Sequence, residues 1–162
     1  MGAQNSYVFS TPIGQAGGIY DLAPYAVDSF CNESNDGVVK FGMGVVKGTT
    51  AGKQVKAPAS GAAAADFEGI VTNRRTTENA IDGGVLVKKG ATLGVMRYGR
   101  IFGLLADSVT PAYGDAVYMV PSGDDAGCFT NSSTSTVAIK GRFLSAASNG
   151  IALIELFNQA QS

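Results

Sequence analysis

The 162-residue chain contains no histidine and no tryptophan. Without imidazole, neither a Ser-His-Asp nor a Cys-His nucleophile arrangement can be assembled. Metal sites built on histidine are excluded for the same reason, and a lone pair of cysteines does not make a zinc cage. No G-x-x-x-x-G-K-[ST] phosphate loop occurs. No run approaches the roughly 18 consecutive apolar residues that a membrane-spanning helix needs. Charge is scarce too: 15% of residues are charged, against about 25% in an average soluble domain. Lys plus Arg is 12, Asp plus Glu is 13, and the net charge is −1. That balance supplies no field to draw in nucleic acid or an anionic membrane. A surface so poor in charge suits coverage by another subunit, because interface cores are depleted in charge.

The opening stretch MGAQNSYVFSTPIG has neither the basic nor the apolar region of a signal peptide. Gly2 and Ser6 fit the M-G-x-x-x-S acylation pattern, a weak signal by itself. Cys31 and Cys128 lie far apart and read as free or buried thiols rather than a disulfide.

What is abundant is glycine, 22 residues, spaced between short apolar runs. In VVKFGMGVV, Val39, Phe41, Met43 and Val45 fall on one face of a strand. LGVMRYGRIFGLL puts Met96, Tyr98, Phe102 and Leu104 on one side, interrupted by Arg100. VAIKGRF places Val137, Ile139 and Phe143 together, and GIALIELF is a continuous apolar strand. KGTTAGK, DGG, KKGATLG, SGDDAG and NSSTST break the chain between them. This pattern predicts an all-β fold, a small barrel or sandwich, with at most one short helix at ASGAAAADFEG. Before it, YVFSTPIGQAGGIYDLAPYAVDSF mixes aromatics with Gly and Pro and shows no period. It reads either as an extended arm lying on a partner or as an irregular segment packed on its own domain. The organisation expected is an N-terminal arm over residues 1–30, mobile in the free protein, and one β-domain over residues 31–162.

The sites that could carry chemistry are few. Asn32, Ser34 and Asp36 before Gly37 loosely resemble the start of a calcium loop, but Met43 stands where the bidentate acid belongs. Asp124 and Asp125 sit in a turn. In VTPAYGDAVYMV, Gly114 can take positive φ and Asp115 can bond back to the local backbone, starting a strand. Both read as structural turn residues, with no catalytic residue, metal or cofactor assigned anywhere. Arg74 and Arg75 form a small basic spot fitted to an acidic protein partner.

The succession FEGIVTNR, GVMRYGRIFGLL, GDAVYMV, AIKGRFL and GIALIEL resembles the structural cement, or decoration, proteins of tailed-phage heads. The resemblance covers residues 36–157 and rests on the order and spacing of the motifs. It implies a non-enzymatic virion protein on the outer capsid surface, made in the host cytoplasm. Its implied partners are the major capsid protein, whose neighbouring subunits it would bridge, and itself, as a homotrimer or a dimer. Nucleic acid and membrane are not among them. Tyr7, Phe9, Ile13, Tyr20, Leu22 and Tyr25 of the arm, with Arg74 and Arg75, are then the capsid-interface candidates. A receptor- or carbohydrate-binding β-module of a virion or surface appendage is the alternative; the absence of tryptophan speaks against sugar binding.

Overall fold

The computed structural model describes residues 14–73, 78–79 and 85–158. Among these residues eleven strands follow in chain order: β1 Ala26–Asn32, β2 Gly44–Lys47, β3 Gln54–Lys56, β4 Phe67–Val71, β5 Glu78–Asn79, β6 Val85–Leu86, β7 Thr92–Leu104, β8 Ala116–Met119, β9 Phe129–Thr130, β10 Val137–Phe143 and β11 Ile151–Leu156. The Ala-rich stretch yields only one 3-10 turn, Ala64–Asp66. Nine strands form one sheet in the order β1-β3-β2-β4-β7-β11-β10-β8-β9, and β5 and β6 pair separately. Because β1 also pairs with β7, the strands β1, β3, β2, β4 and β7 close into a five-stranded barrel. The other half, β7-β11-β10-β8-β9, returns to the end of β7 through a parallel bridge between Leu105 and Phe129. Closure of both halves leaves little open sheet edge to template pairing with another chain.

Each half has its own core, and side-chain volume matches the space. The barrel is filled by Phe30, Leu93 and the valines 39, 45, 55, 71, 87 and 95. A five-stranded lumen is narrow, and compact β-branched side chains fill it. The second half is filled by larger groups, among them Phe67, Met96, Met119, Phe129 and Phe143. β11 serves both of its faces, which is why it reads as a continuous apolar run: Ala152, Ile154 and Leu156 enter the second core. Ile151 and Leu153 pack with Phe102 on the other side, under Ala16.

Several expectations need correction. The stretch from Val39 to Met43 is a bend and not a strand, yet Val39, Met43 and Val45 are buried as the alternation implied. Met96 does not share a face with Phe102. It joins Ile101 in the second core while Phe102 turns to the opposite side. The pleat breaks at a β-bulge between Met96 and Tyr98, where one step along β1 spans two residues of β7, so the two parts of β7 present opposite parities. Residues 26–30, assigned to the arm, form most of β1 and complete the barrel. Residues 17–20 are tied down as well: Gly17 N donates to Phe102 O (2.8 Å), Phe102 N to Gly18 O (3.0 Å) and Tyr20 N to Arg100 O (3.1 Å). Alternation could not reveal this, because the segment reaches β7 through single bonds and the Ile19–Ile101 bridge and not through a ladder.

Candidate functional site

The strand register sets a row of charges across the outside of the second half. Arg100 on β7 stands opposite Glu155 on β11, and Glu155 stands opposite Arg142 on β10. Arg142 Nε donates to Glu155 Oε2 (2.7 Å), and Arg100 Nε donates to Glu155 Oε1 (3.3 Å). Arg100 Nη1 reaches Asp21 Oδ2 (2.9 Å) in the N-terminal segment. The Tyr113 ring closes the far end, its centroid 5.8 Å from the Arg142 guanidinium carbon. Donation from Arg142, and then from Arg100, holds the Glu155 carboxyl below the usual glutamate range. Asp21, and then Glu155, hold Arg100 even more firmly in its charged form. These pairs are partly solvated, so they position the side chains more than they stabilise the fold.

Beside this row lies an aromatic one. Phe157 N donates to Lys140 O (2.9 Å), and the β11–β7 register carries Phe157 next to Tyr98. A groove of about 410 Å³ opens between residues 23–24 and the strands, lined by Tyr98, Arg100, Arg142, Glu155 and Phe157. Ile19, Tyr20, Tyr25, Tyr98 and Phe157 are all about half-exposed, and Leu22 is 95% exposed. The Tyr20 ring meets Phe102 edge-on at 6.0 Å. Of the interface candidates, Tyr20, Leu22 and Tyr25 thus belong to the segment that flanks the charged row. Tyr7, Phe9, Ile13, Arg74 and Arg75 lie outside the described residues. Tyr98, Arg100, Arg142, Glu155 and Phe157 were missed as site residues. The available signal was Arg100 itself, a charge interrupting an apolar strand.

The remaining polar candidates hold backbone. Gly114 has φ 91°, and Asp115 Oδ2 accepts from Ala112 N and from Asn131 Nδ2, each at 2.9 Å. The Ala112 N–H, then Asn131, hold the Asp115 carboxyl below its usual range. Phe143 O and N bond to Gly114 N and Asp115 O, which docks the turn on β10. The calcium-like residues staple loops: Asn32 Oδ1 accepts from Ser34 N, Ser34 Oγ from Ala57 N, and Asp36 Oδ1 from Lys89 N. Among the described residues, no group of three or more His, Cys, Asp or Glu could hold a metal ion. Cys31 and Cys128 are free.

Among the described residues, two small closed β-halves, polar residues spent on loops, and an exposed apolar surface define a β-barrel module whose prominent feature is a contact face. Residues 3–157 match the structural cement protein family (E217 gp24/Pam3 gp6), and the chain belongs to that family. The match takes in most of the N-terminal segment as well as the β-domain. The fold is similar to that of a chain from the capsid of Myoviridae phage XM1, with a TM-score of 0.74 and 19% identity over 96% of this chain and 98% of that one. A comparison with curated protein sequences gives no match. The protein is therefore a structural cement protein of a phage capsid, a virion component.

Proposed function

We propose that the protein sits on the outer surface of the assembled head and bridges neighbouring major capsid subunits, as a homotrimer or, failing that, a dimer. It is made in the host cytoplasm and adds to shells already built. The N-terminal residues Tyr7, Phe9, Ile13, Tyr20, Leu22 and Tyr25, with Arg74 and Arg75, supply the contacts. The observation that carries this reading is the cluster of exposed apolar side chains at Ile19, Tyr20, Leu22 and Tyr25, since such clusters mark association surfaces. A ligand that binds only the assembled state stabilises that state by mass action. Several weak contacts on one bridging molecule add through effective concentration.

The test compares shells with and without the protein. Loaded shells should release their contents at higher temperature, and purified protein added to bare preformed shells should restore the difference. Equal heat resistance of bare and loaded shells would overturn the stabilising role. A requirement for the protein during shell assembly would overturn late addition. Binding on a glycan array, with no shell binding, would favour the receptor-binding alternative.

A further inference from the structure

We infer that the groove beside residues 23–24 takes an acidic segment of the major capsid protein, with an apolar side chain in the groove and a carboxylate on Arg142. This rests on the capsid-cement reading and adds the chemistry of the partner.

Hydrogen-bond accounting on the charged row points to that chemistry. Asp21 Oδ1 accepts from Ala23 N and its Oδ2 from Arg100 Nη1. Glu155 Oε1 accepts from Arg100 Nε and its Oε2 from Arg142 Nε. All four carboxylate oxygens are engaged. The guanidinium groups are not: Arg142 donates to Glu155 from Nε, and neither of its Nη atoms makes a hydrogen bond to a carboxylate among the described residues. Arg100 donates from Nε and Nη1, and its Nη2 makes no hydrogen bond to a carboxylate among the described residues. The face thus retains N–H donors and no carboxylate oxygen that is not already accepting.

A complementary partner supplies acceptors, and the two Nη groups of one arginine match the two oxygens of one carboxylate. Tyr113 under the guanidinium and Glu155 on Nε hold Arg142 in place beforehand, so less freedom is lost on binding. The half-exposed Tyr98 and Phe157 beside it provide the aromatic flank that interface hot spots share with arginine. A polyanion such as nucleic acid fits less well, because Asp21 and Glu155 alternate with the arginines along the row and repel a continuous line of phosphates.

The experiment measures binding of full-length protein to purified bare shells. The variants are Arg142→Gln, the double change Tyr98→Ala with Phe157→Ala, and Val38→Ser as an exposed apolar control off this row. Arg142→Gln and the double variant should each raise Kd about tenfold or more, the loss typical of a hot-spot residue. Arg142→Gln should melt close to the parent, the double variant should melt lower because two half-buried rings are lost while staying folded at the binding temperature, and Val38→Ser should bind as the parent does. Arg142→Gln binding at parental affinity would overturn the carboxylate contact, and a double variant at parental affinity would overturn the groove. An equal loss in Val38→Ser would also overturn the assignment, as would Arg142-dependent binding to duplex DNA. Failure of the parent itself to bind shells would instead overturn the capsid-cement reading on which the inference stands.

Discussion

Gly17 and Gly42 meet back to back: a Cβ added to either would lie 2.9 Å from the other's backbone nitrogen. Both take positive φ, 74° and 77°. Gly17 bonds to Phe102 and Asn73, and Gly42 bonds to Val71 and Leu104, so the pair ties the N-terminal segment to the end of β4 and to β7. Replacing Gly17 with valine adds a β-branched side chain at a left-handed φ and against backbone atoms. The expected cost is about 3 kcal/mol, from backbone strain and the forced separation together. Urea unfolding measures it, and amide exchange should show lost protection at Tyr20 and Phe102. A parental urea midpoint would show that this contact does not anchor the segment.

Acid sensitivity follows from the carboxylates. Hydrogen bonds from Arg142 to Glu155, Lys47 to Asp66, Thr49 to Glu33, and the Ala112 N–H to Asp115 all hold folded-state carboxyls below their usual ranges. A folded pKa below the unfolded one contributes stability above the unfolded pKa, and that contribution is lost as pH falls through the folded value. With no histidine in the chain, melting temperature should be flat from about pH 5.5 to 8 and fall below about pH 4.5. At the alkaline end, burial, and then Asp125, push the Cys128 thiol up, so its contribution is lost as pH rises through the thiol range. Glu155→Gln should shallow the acid limb. A melting temperature that climbs below pH 4.5 would contradict the assignment.

The β-domain was legible because its signals are local. Alternation in VAIKGRF put Val137, Ile139 and Phe143 together, and all three share the second core. The continuous run of β11 marked a strand covered on both faces. What local pattern could not show was long-range. The two faces of β7 exchange at the bulge between Met96 and Tyr98, and β1 closes the barrel from within a stretch that lacks any period. The charged row was hidden for the same reason: Asp21, Arg100, Arg142 and Glu155 are scattered in sequence and meet only through sheet register.

The turn before β8 gives two substitutions with different costs. A side chain at Gly114 would meet open space, so only the φ of 91° resists replacement. Gly114→Val should cost about 1–3 kcal/mol through that strain. Asp115→Asn keeps an acceptor for the Ala112 N–H and should lower the melting temperature by less. Thermal melts of both variants decide it; equal tolerance of the two would remove the positive-φ turn as the stabilising feature.

Leu22 separates folding from attachment. It is 95% exposed and flanks the charged row through its neighbour Asp21. A single exposed leucine is ordinary, but Ile19, Tyr20 and Tyr25 are exposed within the same short segment. Removing Leu22 deprives the free protein of almost no buried area, so Leu22→Ser should leave its melting temperature unchanged. On the capsid, a leucine that docks fully contributes about 1.5–3 kcal/mol, and its loss should weaken shell binding roughly ten- to a hundredfold. Tyr20→Ala should behave differently. Its ring packs edge-on against Phe102 within the chain, so this change should lower both the melting temperature and shell occupancy. Occupancy on bare shells after dilution, beside melts of the free variants, gives both readings. Full occupancy by Leu22→Ser would take Leu22 out of the interface and shift the search for the anchor toward the Tyr98, Phe157 and Arg142 face.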